Sequence, residues 1–347
     1  MRQETSRSHR RKVFAYTISL VLVAAALLAG AYVWVSPASP PHKAGPLEQV
    51  TIANIRYPGT CPVIIAQAKG YFTNEGVLVT ILSQTSGKAT LDAVFRGQAN
   101  LGTTGDVPVM FAVMDRLPVS IVATIATAEN DLGIVGRKDK GVVTPASLKG
   151  KQIGVSMFSA GQFVLDVILT RQKLSMSDIQ VRELRQEELS AALAKGDIDA
   201  ASAWQPYLGT LQTQLGENGT TFHSAGIYDV ALSLVGSRGY VADHPETIKK
   251  ILRALIGAGR FCRDNPDAAR EFVAEAMKPD IANLKELWSS YRFSVALDQS
   301  LILALEDETR WAIKNKLTDR TDAPNYLDYV YLDALQSVAP SEVTIMH

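Results

Sequence analysis

The sequence predicts an α/β protein of two lobes joined by a hinge, with a helical region at its C-terminal end. Short apolar segments with strand composition alternate with helical segments from Val50 to Ala123, and the same alternation starts again at Leu132. From Pro245 onward the pattern is helical only. Two cycles of alternation in a chain of 347 residues indicate two mainly parallel sheets, each with its own core.

The predicted organisation has three parts. Residues 1–43 form a signal or anchor segment with a linker, residues 44–130 together with 237–347 form lobe I, and residues 131–236 form lobe II. The C-terminal helices are expected to pack on lobe I, because lobe II is already complete and lobe I has few helices to cover its sheet. The chain would then cross between the lobes twice, near residues 130 and 237. A double crossing predicts a hinge with a ligand cleft beside it.

The N-terminal segment has the features of an export signal. Arg10, Arg11 and Lys12 precede an apolar run over residues 13–35. Signal peptidase would cleave after Ala31, which ends a small-residue sequence. Retention as an anchor is equally open, since 23 helical residues at about 1.5 Å each span a bilayer core of about 30 Å. In either case the positive charge before the run places the rest of the protein outside the cytoplasm, in the periplasm or an equivalent space. Cleavage would release it there, and retention would tether it to the inner membrane.

Charge and motif content disfavour several function classes. The chain has 35 basic and 35 acidic residues, and its part beyond residue 36 is slightly acidic, so a general nucleic-acid binder is disfavoured. The sequence contains no Walker loop, HExxH or GxGxxG motif, and we expect no enzyme activity, no cofactor and no metal. Cys61 and Cys262 match no metal or redox spacing. We expect two buried thiols, although export would permit a disulfide.

Candidate ligand residues lie in the turns that follow strands, because ligands of open α/β sheets bind beyond the carboxyl ends of the strands. On lobe I they are Arg56, Tyr57, Gly59, Thr60, Ser86, Gly87, Gly105 and Asp106. On lobe II and at the first crossing they are Asn130, Phe158, Ser159, Trp204 and Gln205.

Each lobe I candidate has a functional and a structural interpretation. Tyr57 either stacks on or hydrogen-bonds a ligand, with Gly59 allowing close approach, or belongs to an ordinary turn. Arg56 is a conditional partner for an anion, or a solvated charge. Ser86 either opens an anion-binding helix start or simply caps that helix. Asp106 is either a cap or a carboxylate that favours a ligand with a donor group.

The lobe II candidates are ambiguous in the same way. Ser159 and the N–H groups after it suit an anion or polar group, and Phe158 offers an apolar wall. Trp204 supplies a flat apolar surface, or fills the lobe II core, and Gln205 offers an amide. Asn130 is either a hinge turn or a ligand contact.

Five phrases, in order along the chain, carry a family resemblance. They are IAQAKGYF at 65–72, GTTGDVP at 102–108, LKGKQIGV at 148–155, KGDIDA at 195–200 and WQPY at 204–207. In these phrases the chain resembles the periplasmic binding proteins of nitrate, alkanesulfonate and taurine importers, a group that includes thiamine-precursor binding proteins. The resemblance implies the two-lobed type II periplasmic-binding-protein fold, a monomer that binds its solute between the lobes, and an ABC permease as partner.

Three functions follow as hypotheses. In the first, the protein captures a small solute, anionic like a sulfonate or nitrate, or small and aromatic, for an ABC importer. In the second it is an enzyme on the same fold, such as a pyrimidine synthase. Resemblance to the pyrimidine synthase of this family implies a Cys-rich motif and an active-site Lys and His. This chain lacks the motif, and its candidate turns carry no His. In the third it is a membrane-tethered ligand sensor.

Overall fold

The computed structural model describes residues 47–224, 226, 228–277 and 284–346. The predicted signal or anchor segment 13–35, with its cleavage position after Ala31, lies outside the described residues.

Within the described residues, no helix combines the length and the apolar character needed to span a bilayer.

The described strands form two sheets. Their bounds are β1 Glu48–Ile55, β2 Val77–Gln84, β3 Leu101–Thr104, β4 Val119–Ala128, β5 Leu132–Arg137, β6 Gln152–Val155, β7 Gln180–Glu183, β8 Ala200–Trp204, β9 Gly219–His223, β10 Val230–Ser237 and β11 Tyr291–Arg292. The first sheet has six strands in the order β11-β4-β10-β3-β1-β2, and the second has five in the order β7-β6-β8-β5-β9. The apolar run of β4 is buried along almost its whole length, as expected for a central strand covered on both faces.

The strands at the crossings run against their neighbours. In the first sheet β1 pairs in parallel with β2 and β3, whereas β10 is antiparallel to β3 and β4. In the second sheet β6 pairs in parallel with β7 and β8, whereas β5 is antiparallel to β8 and β9. The prediction of mainly parallel sheets is therefore wrong, because strands that carry the chain directly from one sheet to the other enter without a helical crossover.

Strand β10 corrects the predicted lobe boundary. The sequence pattern predicts this segment in lobe II, but β10 lies in the first sheet between β3 and β4. All of its residues except Ser237 are buried, and that burial depends on neighbours at both edges. Strand composition alone does not say which sheet a segment joins. The chain thus passes to the second sheet between Ala128 and Leu132, and returns between His223 and Val230 rather than at residue 237.

The described helices cover both sheets. Their bounds are α1 Cys61–Ala68, α2 Tyr71–Asn74, α3 Gly87–Phe95, α4 Asp106–Met114, α5 Ala160–Arg171, α6 Gln186–Lys195, α7 Tyr207–Leu215, α8 Arg238–Asp243, α9 Pro245–Asp264, α10 Pro266–Met277, α11 Leu284–Leu287, α12 Gln299–Lys314 and α13 Leu332–Val338.

The helices after residue 245 pack on the first sheet and its helices, as predicted. A disulfide between Cys61 and Cys262 joins α1 to α9, so the expectation of two free thiols is wrong. The two cysteines are 201 residues apart in sequence, and only the packing of α9 on α1 brings them together. The helical region also contacts α5, a helix that packs on the second sheet, since Trp311 on α12 donates from Nε1 to Asp166 Oδ2 on α5 at 2.8 Å.

Candidate functional site

A cavity of about 500 Å³ opens between the two sheets. From the first sheet it is lined by turns that follow β1, β2 and β3, and from the second by turns that follow β6 and β7 and by the end of β8. These are the carboxyl ends of the parallel strands of both sheets, where open α/β sheets bind ligands. Of the predicted residues, seven line it: Tyr57, Ser86, Gly87, Gly105, Phe158, Ser159 and Trp204.

Two serine-capped helices begin at the cavity wall. Ser86 Oγ accepts the Ala89 N–H at 3.1 Å at the start of α3, and Ser159 Oγ accepts the Gln162 N–H at 3.4 Å at the start of α5. Both serines are therefore N-caps, which agrees with their structural interpretation. The first N–H groups of a helix have no partner within it, and the helix dipole favours negative charge there. Since the two helices belong to different lobes, both lobes present anion-binding groups to the same space.

Gly87 has a steric role at the start of α3. A Cβ atom at this position would lie 2.4 Å from Thr104 Oγ1 and 3.0 Å from Pro108 Cγ. Any larger residue would push α3 away from the end of β3. Glycine thus keeps the helix start close to the turn that contains Gly105 and Pro108, which also line the cavity.

A third helix, α6, adds charged residues to the cavity wall. Arg185 and Glu188 form a capping ion pair at 2.8 Å at the start of this helix. Hydrogen bonds from Arg185 hold the pKa of the Glu188 carboxyl below its usual range. Beneath the pair, Gln186 is buried, and its Oε1 has no hydrogen-bond partner among the described residues. Sequence reasoning missed this turn, although it follows a strand as the other candidate turns do.

Asp131 is the buried carboxylate of the cavity, and sequence reasoning missed it. It is fully buried, and its Oδ1 accepts a hydrogen bond from the Tyr291 hydroxyl. The Tyr57 hydroxyl is a second hydrogen-bonding neighbour of this carboxylate. Burial raises the pKa of Asp131 to about 6, and the hydroxyls of Tyr291 and Tyr57 limit that rise. Its position beside the predicted Asn130, where the chain enters the second sheet, was the available signal.

Trp204 combines its two interpretations. It ends β8, lies opposite Leu132 of β5 in the ladder, and is only 9% exposed, so much of its ring is packed. It nevertheless lines the cavity, and its Nε1 has no hydrogen-bond partner in the described ranges. Tyr57 lines the same cavity, and its buried hydroxyl is a hydrogen-bonding neighbour of Asp131.

Phe158 forms an exposed part of the apolar wall. It is 43% exposed and has a positive φ of 56° just before the Ser159 cap. Its ring meets Phe111 of α4 edge to face, with centroids 5.3 Å apart. Phe158 therefore extends from the second lobe across to the first at the edge of the cavity.

Four predicted residues are engaged away from the cavity lining. Arg56 donates to the Met277 carbonyl at 2.6 Å, Thr60 Oγ donates to the Tyr57 carbonyl at 2.7 Å, and Gln205 Oε1 accepts the Gly209 N–H at 3.1 Å within α7. Gly59 supports the Tyr57 ring, since a Cβ there would lie 2.4 Å from it. None of these four residues is in the cavity lining, and the side chains of Arg56, Thr60 and Gln205 bond to backbone groups instead.

Asp106 and Asn130 also lie outside the lining. Asp106 is fully buried and accepts hydrogen bonds from the Val107 N–H at 2.9 Å, the Ala231 N–H at 3.0 Å and the Tyr228 hydroxyl. It holds α4 against β10 as the first residue of that helix, whereas the N-cap is Gly105, so the cap interpretation of Asp106 is wrong. Asn130 has a positive φ of 56° in the turn between β4 and β5, which fits the hinge interpretation.

A second cavity, of about 560 Å³, lies between α12 and the first sheet. Its lining is acidic, and the buried member is Glu308, which is 1% exposed. Burial, and then the neighbouring Asp106 charge, raise the pKa of Glu308 well above its usual value. A protonated Glu308 is able to donate to Asp106, which accounts for its burial without a cation.

Relatives of this chain include binding proteins and an enzyme. A binding protein of Brucella abortus (strain 2308) is 28% identical over 243 residues, 66% of this chain and 71% of the relative. The taurine-binding periplasmic protein of Escherichia coli (strain K12) is 26% identical, over 59% of this chain and 64% of that protein. The 4-amino-5-hydroxymethyl-2-methylpyrimidine phosphate synthase of Aspergillus parasiticus is 25% identical, over 64% and 68%.

Solved structures share the two-lobed fold. The alkanesulfonate-binding protein SsuA from Xanthomonas axonopodis pv. citri, bound to MOPS, superposes with a TM-score of 0.73 at 19% identity, over 83% of this chain and 99% of that one. The fold is thus that of the two-lobed periplasmic binding proteins. The family model described as NMT1/THI5 like matches residues 58–269, more than half of the chain, and the chain belongs to that family.

Proposed function

We propose that this protein is the extracytoplasmic solute-binding component of an ABC importer, and that its solute occupies the cavity between the two sheets. The observation that carries the proposal is the convergence of the starts of α3 and α5, from different lobes, on one cavity at the carboxyl ends of the strands. Two chain crossings link the sheets there. Closure of the lobes around a solute would bring both helix starts onto it.

The proposed solute is a small organic anion with an aromatic or alkyl body. Backbone N–H groups at the helix starts suit a sulfonate or carboxylate. Trp204, Phe158 and Leu132 offer apolar surface to the rest of the molecule. A cavity of about 500 Å³ is large for nitrate alone. Relatives described as sulfonate- and taurine-binding support the same class.

The proposed partner is an ABC permease, which would receive the solute from the closed form of a single copy. The basic residues before the apolar run 13–35 support a location outside the cytoplasm, with that run as signal or anchor. An enzyme of this fold remains the alternative that the pyrimidine-synthase relative favours. Against turnover, the described residues of the cavity lining include no His or Cys, and Cys61 and Cys262 are joined in a disulfide away from it.

A thermal-shift screen of the full chain tests this function. The panel contains nitrate, alkyl and aromatic sulfonates, aromatic carboxylates and pyrimidines. A solute at a hundredfold excess over its Kd should stabilise the protein by about 2.7 kcal/mol. Trp204→Ala should weaken binding by about 1 to 3 kcal/mol, since it removes the apolar wall. Absence of a shift with every class would contradict solute binding, and turnover of a bound compound would favour the enzyme.

A further inference from the structure

We infer that Arg185 is the side chain that binds the anionic group of the solute, and that its guanidinium leaves Glu188 for that group when the lobes close. The inference rests on the proposed function and names the residue that makes the cavity selective for anions. Arg185 lies in the turn between β7 and α6, on the lobe II wall of the cavity. The starts of α3 and α5 offer backbone donors, whereas Arg185 adds a full positive charge.

Arginine is an unfavourable residue at the position that Arg185 occupies. It is the N-cap of α6, where Ser, Thr, Asp and Asn are preferred because their side chains accept the first N–H groups of a helix. A cation at this end also opposes the helix dipole. The other two helices that begin at the cavity have a preferred residue there, Ser86 and Ser159. A residue that breaks a local preference is expected at a functional site, and this one lines the cavity.

The ion pairs that hold Arg185 are easily exchanged. Its side chain is 73% exposed, and its guanidinium contacts Glu188 at 2.8 Å and Glu187 at 3.6 Å. Ion pairs between exposed side chains contribute little to stability. Glu188 keeps a partner when the guanidinium leaves, since its Oε2 accepts the Arg185 backbone N–H at 2.8 Å. Both glutamates lie in the first turn of α6, where the helix dipole favours negative charge.

A buried acceptor next to Arg185 has no donor among the described residues. Gln186 is 3% exposed and lines the same cavity. Its Nε2 donates to Ser156 Oγ at 3.2 Å and to the Ser202 carbonyl at 3.4 Å, whereas its Oε1 has no hydrogen-bond partner in the described ranges. A buried acceptor without a donor costs free energy. A guanidinium has several N–H donors, so Arg185 turned into the cavity is able to bind both Gln186 Oε1 and an anion.

An anionic solute needs a cation in this cavity, since carboxyl groups outnumber cations among the described residues of its lining. The cations are Lys88 and Arg185, and the carboxyl groups are Asp131, Glu183, Glu187 and Glu188. The helix starts add partial positive charge only. One of the two cations is therefore expected to meet the anion.

Lys88 is less suited to this role than Arg185. It lies in the first turn of α3 and pairs with Asp92 of the same helix at 3.0 Å. Its ammonium is a strongly hydrated point charge, whereas the planar guanidinium of Arg185 matches two oxygens of a sulfonate or carboxylate at once. Closure of the lobes would remove water from the cavity, which strengthens a charge-assisted hydrogen bond inside it. Arg185 is therefore expected to distinguish an anion from a neutral molecule of the same shape.

Calorimetric titration of the full chain with two matched probe pairs tests the inference. The pairs are toluenesulfonate with toluenesulfonamide and benzoate with benzamide, so that the shape is nearly constant and the charge differs. We expect at least one anion to bind the unsubstituted protein about tenfold or more tightly than its amide. Arg185→Ser should weaken that anion about tenfold or more and change the affinity for the amide about threefold or less. Arg185→Lys should recover only part of the anion affinity, because it restores the charge without the planar donor pair.

Thermal unfolding of the same variant separates solute binding from helix capping. Arg185→Ser places a preferred cap at the start of α6, so its Tm should stay the same or rise. A purely structural Arg185 predicts the opposite result, a lower Tm with unchanged anion affinity. Arg310→Ala is the matched control, since Arg310 is 60% exposed, pairs with Glu306 and Asp307 and lies outside the cavity lining. It should leave the anion affinity unchanged.

Three results would overturn the inference alone. They are an anion affinity that survives Arg185→Ser, an equal loss in Arg310→Ala, and a larger loss in Lys88→Ala than in Arg185→Ser. If Arg185→Ser fails to fold, an undiminished anion affinity in Arg185→Lys has the same meaning. Failure of both anions and both amides to bind the unsubstituted protein would count against the proposed solute class, and with it the inference.

Discussion

Asp106 and Asp131 are two fully buried carboxylates of similar pKa that differ in their partners. Burial raises the pKa of each to about 6. Asp106 has both oxygens occupied, by two backbone N–H groups and the Tyr228 hydroxyl. Asp131 is hydrogen-bonded by the hydroxyls of Tyr291 and Tyr57 and, unlike Asp106, lies at the wall of the cavity. Burial alone therefore does not distinguish a structural carboxylate from one at a binding site, whereas position relative to the cavity does.

The largest expected effect concerns the pH dependence that the two carboxylates share. Their folded-state pKa of about 6 exceeds the ordinary 3.8, so the folded state binds protons more tightly than the unfolded state. Each of the two groups should then raise the free energy of unfolding by about 1.4 kcal/mol as the pH falls from about 7.5 to about 5, and Glu308, whose pKa burial also raises, adds to the rise in the same direction. Urea unfolding of the solute-free protein at both pH values measures the total. Asp131→Asn should remove about 1.4 kcal/mol of the rise, and a stability that is flat or falls over this range would contradict the account.

A matched pair of tyrosine variants separates the two carboxylates. Tyr228→Phe removes a hydrogen bond to Asp106, and Tyr291→Phe removes one to Asp131. Each should lower the free energy of unfolding by about 1.5 to 3 kcal/mol, because each deletes a hydrogen bond to a charged group. Only Tyr291→Phe should also change solute affinity. Denaturant unfolding and calorimetry on both variants provide the measurements. An affinity change confined to Tyr228→Phe would mean that Asp106 binds the solute and that Asp131 is structural.

A pair of tryptophan variants tests the same distinction with indole donors. Trp204 Nε1 has no hydrogen-bond partner in the described part of the chain, whereas Trp311 Nε1 donates to Asp166. Trp204→Phe should weaken solute binding by about 1 kcal/mol, in addition to the packing loss that both tryptophan variants share. Trp311→Phe should lower stability by about 1 kcal/mol or more and leave affinity unchanged. Equal losses of affinity in the two variants would place the solute elsewhere.

The smallest effect is expected at the exposed edge of the cavity. Phe158→Ala should weaken binding of an aromatic solute about threefold or less, since the ring is partly solvated before binding. Stability should change by about 0.5 kcal/mol or less. Leu303→Ala, at another exposed apolar residue, is the control for nonspecific surface effects. A loss of affinity as large as that of Trp204→Phe would mean that Phe158 closes over the solute.

The sequence was sufficient for features that depend on local pattern. Alternating strands and helices predict the fold class, and a serine before a helix predicts the starts of α3 and α5. Both predictions succeed because helix caps and hydrophobic periodicity depend on residues that are close together in the sequence. The sheet that β10 joins and the Cys61–Cys262 pair depend on contacts between distant segments, and the pattern does not contain them. Asp106 and Asp131 both follow strands, so the sequence pattern treats them alike. They differ only in the groups that surround them in the folded protein.

The most direct test of the central claim is a crystal structure of the protein with its tightest-binding probe. We expect the probe between the two sheets, with its anionic group at the first turns of α3 and α5 and its apolar body against Trp204. A probe found beside Glu308 in the second cavity, or one whose anionic group contacts neither helix start, would contradict the claim.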